Sequence, residues 1–202
     1  MIDKTTYKRA AEISKTNPSR AYDMIEKTVK AALGVTQKEL KQIFKSHQQY
    51  MQRGSKYGDC ADLRGANLQG LDFRGLALIG VGFDNANLSK ANLSRLNIID
   101  SSFEGANLSQ ANFSGSALGG SSLKGANLKG ANLSHTLLSD ADFTGANLTV
   151  ADFSSANLAD AYFFRADLTD ADLRTAKYTN LARFNNAILT GTVLDPSLET
   201  SE

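Results

Sequence analysis

The chain has 202 residues, a formal net charge of +1 and one cysteine, which leaves room for one or two domains. A lone cysteine excludes an internal disulfide framework, and no apolar run is long enough to span a membrane. The start, Met1-Ile2-Asp3-Lys4, lacks a signal-peptide core, so the chain reads as cytoplasmic.

Charge divides the chain. Residues 1–60 hold 12 Lys/Arg against 6 Asp/Glu, net +6, and residues 61–202 hold 10 against 15, net −5. Such asymmetry implies two compositionally distinct parts. The first, 1–58, has helical periodicity. A short helix is predicted over 6–15, with Tyr7, Ala10, Ala11 and Ile13 inward. Asn17-Pro18 gives a cap with proline at the first helical position, and a second helix runs to Leu33, stopped by Gly34. Thr36 and Glu39 form a capping box for a third helix. It carries Leu40, Ile43, Phe44, His47 and Met51 at i, i+3, i+4 spacing and ends near Gly54. This segment is read as a cap on the remainder of the chain, or as a binding module; the two roles are compatible. Its lysines are spread and flanked by acids, so direct nucleic-acid contact is not expected.

From residue 61 the chain reads in fives: Ala61-Asp62-Leu63-Arg64-Gly65, then Ala66-Asn67-Leu68-Gln69-Gly70. The frame holds from 63 to 178, giving 24 central residues: 15 Leu, seven Phe, Ile98 and Tyr178. Two residues before most centres stands a small residue, Ala in 16 of the 24. A fixed short period signals a repeat architecture; it is neither the 3.6 of a helix nor the 2 of a strand.

The pattern resembles the pentapeptide-repeat family, A-(D/N)-L-x-x. That resemblance implies a mainly β protein: a right-handed quadrilateral β-helix with four repeats per coil, the central and small residues inward. Its domains would be a helical part at 1–58, a β-helix at 59–180 and a C-terminal cap with a polar tail at 181–202. All seven Phe fall on alternate repeats, which requires an even number of repeats per coil. Six coils at strand spacing make a rod about 29 Å long. Gly follows the centre by two in ten repeats, permitting the positive φ of a type II turn. Val150 occupies the same slot and dislikes that conformation, so its corner is expected to use another turn.

No chemistry stands out. His47 reads as a structural side chain, His135 as an exposed corner residue and Cys60 as packing filler. No metal spacing, phosphate loop or catalytic set appears. Neither an enzyme nor a cofactor is expected.

Departures from the repeat carry more. Bulky residues replace the small one at Leu71, Leu76, Val81 and Leu96, and Ile79 and Ile99 take outward positions normally polar. In the four-repeat register Ile79 and Ile99 share a wall with Ala77, Ala117, Gly119 and Leu137, an apolar strip suited to an interface or to cover by the helical segment. Tyr162 and Phe164 flank Phe163 on another wall, as a second contact or as a shield for the C-terminal end. Residues 139–175 hold seven Asp against Arg165 and Arg174. Asp140 is expected over Asp160 and Asp152 over Asp172. This is drift within Asn/Asp slots, or an acidic surface for a basic partner or for the basic helices of a second copy. Upstream slots hold neutral Asn, so nothing structural requires the charges.

After Tyr178 the frame slips by one. Residues 179–194 are an out-of-frame coil or an irregular cap, and they resemble the ends of many cyanobacterial family members. The leading reading is a non-enzymatic protein-interaction rod with a protein partner not named by the sequence. The alternative, implied by the resemblance, is a DNA-mimicking gyrase-binding protein; a mildly acidic rod, a polar tail and a basic helical segment all depart from that pattern.

Overall fold

The computed structural model describes residues 34–53 and 63–194, with the side chains of 46–53 also outside the description. The helices expected at 6–15 and 18–33, the side chains of His47 and Met51, and Cys60 therefore lie outside the described residues.

The corner explains the coil. The Ala66 amide donates to the Leu63 carbonyl at 3.1 Å, and Gly65 between them has φ +69°. Only the third residue of this turn has positive φ, the signature of type II. A residue of positive φ recurs at every fifth position from 65 to 170. Each corner turns the chain, and parallel bridges join residues 20 apart, as in Asn67–Asn87–Asn107–Asn127–Asn147. Four corners per pairing interval give a four-walled β-helix whose strands are single-residue rungs.

Stacking buries what one repeat cannot bury alone. Every central residue from 63 to 173 is buried. Phe from two opposite walls meet edge to face, Phe73 with Phe83 at 5.9 Å and Phe143 with Phe153 at 6.2 Å between centroids. Phe on the same wall lie flat on each other, Phe83 on Phe103 at 4.9 Å. That separation matches the ~4.8 Å rung spacing, so stacking needs no distortion of the ladder.

Two expectations need correction. Val150 keeps the left-handed corner, with φ +59° and the side chain 57% exposed. Its amide donates to the Thr169 carbonyl of the next coil at 2.9 Å, and the Ala151 amide closes the turn on Leu148 at 3.0 Å; the rung and the turn bond together overrule the local preference. Tyr178 is not inward: it is 54% exposed with φ +58°. The positive φ falls on Tyr178 itself rather than two residues later, which swings its side chain out and absorbs one extra residue. Pairing then resumes at an offset of 21, through Tyr162–Arg183, Asp167–Ile188 and Asp172–Val193. Phe184 takes the inward slot and stacks on Phe163 at 4.9 Å. Residues 183–194 are thus a paired coil that continues past the expected boundary at 180.

At the other end, α1 (Gln37–Arg53) lies on the first coil. The Thr36 amide donates to Glu39 Oε2 at 2.9 Å and the Glu39 amide to Thr36 Oγ1 at 3.3 Å, the reciprocal box that starts the helix. The Val35 amide donates to the Asn67 carbonyl at 2.9 Å. The Gln37 side chain accepts from the Asp72 amide at 2.9 Å and donates to its carbonyl at 2.6 Å. Backbone left unpaired at the open end of a β-helix is thereby satisfied. Leu40 and Phe44 are buried, Phe44 meeting Phe73 edge-on at 6.4 Å.

Candidate interaction surface

The walls are not equivalent. On one, Asn67, Asn87, Asn107 and Asn127 form a side-chain ladder, each Nδ2 donating to the preceding Oδ1 at 3.2–3.4 Å. Amides along the rod serve the Asx slots locally, as in Ser89 to Asn87 Oδ1 at 3.2 Å and Thr149 to Asn147 Oδ1 at 3.0 Å. This is the competition for backbone partners that suits Asn and Asp to the slot.

The wall of 77, 97, 117, 137 and 157 lacks that polar ladder. Ile79 is 44% and Leu137 54% exposed, whereas Ile99 is half-buried. Ala117 pairs with Asn97 and Leu137, but Ala77 forms no bridge to Asn97, the one rung absent among the described residues. The gap falls where Leu76 and Leu96 fill the small-residue slot on successive coils. Beside it opens a groove of about 450 Å³ lined by Lys41, Phe44 and Lys45 of α1 and by Leu76, Ala77 and Arg95. The floor is apolar and the rim cationic. α1 thus reaches Asp72 to Ala77 but leaves Ile79 in solvent.

This groove was missed in the sequence. The signal was present in two Leu set 20 residues apart, one coil in this fold, but the cations come from α1, whose docking no periodicity specifies.

The acidic residues divide into two kinds. Asp140 and Asp160 are exposed corner residues with φ +59° and +57°. Asp is one of the few non-glycine residues that tolerates such a corner, so the slot has a backbone reason to hold an Asx residue, which neutral Asn meets equally, as at Asn85 and Asn186. Their coils adjoin, the Asp140 amide donating to the Ala159 carbonyl at 3.1 Å. Asp152 and Asp172 instead face each other across a rung and are half-buried. Asp152 accepts from the Ser154 amide at 2.8 Å, and Asp172 is gripped by Arg174 at 2.5 Å. The Arg174 hydrogen bonds hold the Asp172 carboxyl below the usual range, and Arg74 does the same for Asp72. Burial pushes Asp142 up, but hydrogen bonds from Thr144 and Lys124 outweigh it and leave it lowered. Tyr162 lies half-buried under the Arg183 guanidinium at 4.8 Å, and Phe164, 38% exposed, lies under Arg165 at 4.9 Å. Both rings are engaged by cations of their own chain.

Among the described residues, no group of His, Cys, Asp and Glu is placed to hold a metal, and no helix is long and apolar enough to cross a membrane.

The repeat, its corners and its buried columns define a pentapeptide-repeat β-helix. The family description "Pentapeptide repeat region" matches residues 96–173 and "Pentapeptide repeats (8 copies)" matches residues 59–95; the chain belongs to the pentapeptide-repeat family. Among solved structures, 37 chains match. A pentapeptide-repeat protein of the Arabidopsis thaliana thylakoid lumen is 32% identical, over 64% of this chain and 79% of that one, with a TM-score of 0.36. HetL, involved in heterocyst differentiation regulation in the cyanobacterium Nostoc, is 26% identical over 67% and 73%, with a TM-score of 0.22. A trypsin-treated variant of QnrB1, a plasmid-mediated fluoroquinolone resistance protein, is 17% identical over 70% and 80%, with a TM-score of 0.39. No curated protein sequence matches the chain.

Proposed function

We propose that this protein is a non-enzymatic, cytoplasmic interaction module: a rigid rod, right-handed in its coiling as the family implies, that presents one wall to a protein partner. Residues 1–58 act as its helical cap. The observation that carries the reading is the contrast between walls. One is sealed by an Asn ladder, while the wall of Ile79, Ile99 and Leu137 exposes aliphatic side chains beside a broken rung. Clustered exposed apolar residues next to polar ones mark contact surfaces. Comparing proteins captured by the wild type and by Ile79→Asn/Ile99→Asn, with mass-spectrometric quantification, tests it. The substitution is expected to deplete a specific partner; equal recovery of every captured protein counts against this wall.

The observations do not favour a DNA-mimicking, gyrase-binding role. Lys124 pairs with Asp142 at 3.1 Å and Arg174 with Asp172 at 2.5 Å, so cations interrupt the carboxylates. Addition of the protein to a gyrase supercoiling assay is expected to leave the reaction unchanged.

A further inference from the structure

The groove beside the broken rung and the acidic corner farther along the same wall complement each other. The groove has an apolar floor of Leu76, Ala77 and Leu96 under Lys41, Lys45 and Arg95. Among the described residues none of these three cations forms an ion pair. Lys41 and Lys45 are one helical turn apart, about 6 Å along α1. Toward the C-terminal end, Leu137 projects an exposed aliphatic side chain, with the exposed carboxylates of Asp140 and Asp160 on successive coils about 4.8 Å apart beside it. One aliphatic knob and two carboxylates thus face an aliphatic floor and a row of cations of similar spacing.

We infer that the groove receives the Leu137–Asp140–Asp160 corner of a second copy of this chain. The inference rests on the interaction-module reading and names a partner for the same wall. The two patches cannot meet within one molecule. Both sit on one ladder, through Asn97, Ala117 and Leu137, and the two paired intervals between them hold them apart at about 10 Å. A groove at one end and a corner at the other make a heterologous contact, which repeats instead of closing on a two-fold axis. Assembly should therefore grow with concentration, and screening of the exposed charges should reverse it.

Sedimentation velocity on the full chain, from dilute to concentrated solution at low and high salt, reads this directly. The wild type is expected to rise above its 21.7 kDa monomer mass at low salt and to return to it at high salt. Lys41→Glu/Lys45→Glu and Asp140→Lys/Asp160→Lys should each stay monomeric, and an equimolar mixture should regain at least a twofold mass. Lys90 already occupies a corner of this type, with φ +61°, so the lysine variant is compatible with the fold. Asp140→Asn/Asp160→Asn, the milder version, should weaken assembly without abolishing it. A wild type monomeric throughout, single variants that assemble like the wild type, or a mixture that stays monomeric each overturns the inference. A monomeric wild type leaves the partner-capture comparison at Ile79 and Ile99 untouched, so the two readings fail separately.

Discussion

The Ser116 hydroxyl stands inside the turn that ends at Leu96. It donates to the Leu93 carbonyl at 2.6 Å and accepts from the Leu96 amide at 3.0 Å. At regular corners these two backbone groups bond each other, as in Ala91 to Leu88 at 3.0 Å. The serine one coil on, not bulk in the small-residue slot, marks the open turns: Leu71 and Leu76 keep their bonds to Leu68 at 3.2 Å and Phe73 at 3.1 Å, whereas the small Ser101 has its turn filled by Ser121. Ser101 does the same for Val81, at 2.7 Å to Leu78 and 3.2 Å from the Val81 amide. The buried hydroxyl is thus a backbone partner supplied by the neighbouring coil.

Removing it leaves a buried amide and carbonyl unpaired. Ser116→Ala is expected to lower stability by about 1–3 kcal/mol, measured by denaturant unfolding. A change below about 0.5 kcal/mol, the level of a surface substitution, would mean that the turn simply closes.

Val150 is a β-branched residue held at φ +59°, a conformation that costs about 1–3 kcal/mol. Asn85 and Asn186 occupy the same conformation at φ +57°. Val150→Asn is therefore expected to raise stability by about 1 kcal/mol. An unchanged or lower melting temperature would show that Val150 contributes packing that its exposure conceals.

Phe163 ties the last coils together. It stacks on Phe143 at 5.0 Å and on Phe184 at 4.9 Å, and meets Phe153 edge-on at 5.9 Å. Phe163→Ala should cost about 3–5 kcal/mol by large-to-small truncation. It should also speed hydrogen exchange of the Arg183 and Ile188 amides, which pair to this coil. A loss of stability without that local loosening would deny that Phe184 belongs to the column.

The carboxyls of Asp72, Asp142 and Asp172 are lowered from 3.8 in the folded protein. Their contribution is full above the unfolded carboxylate value and is lost as pH falls through the lowered folded value. Arg74, Arg174 and Lys124 are raised by the same hydrogen bonds and charges, so these cations lose their share only at strongly alkaline pH. These pairs should hold stability level between about pH 5 and 9 and release it below about pH 4. Melting curves of wild type and Arg74→Ala/Arg174→Ala should differ at neutral pH and converge in acid. A gap that persists at pH 2 would assign those arginines a packing role.

Much of the fold was legible because it is local and repeated. The central Leu and Phe, the small residue before them and the Gly at corners each recur in a fixed frame, so the buried columns follow from the sequence. The Thr36–Glu39 box likewise marks where α1 begins. Local preference failed where neighbours on both sides decide: Val150 is fixed by rungs to adjoining coils, and an apolar Tyr178 gave no sign that the turn would land on it. The candidate surface was half legible. Ile79 and Leu137 stood out as apolar residues in polar slots, but Lys41 and Lys45 join Arg95 only because α1 docks on the first coil.

The most direct measurement is amide hydrogen exchange along this wall, free and in complex with a captured partner or with a second copy. Asn97 and Leu78 flank the broken rung, and no backbone bond from either amide closes it. In the free protein both should exchange far faster than the amides of Ala117 and Leu118, whose rungs are formed. Protection at Asn97, Leu78 and Ile79 on binding, with the Asn87–Asn107 wall unchanged, is the predicted result. Protection confined to the Asn ladder, with the broken rung still exchanging freely, would contradict the account.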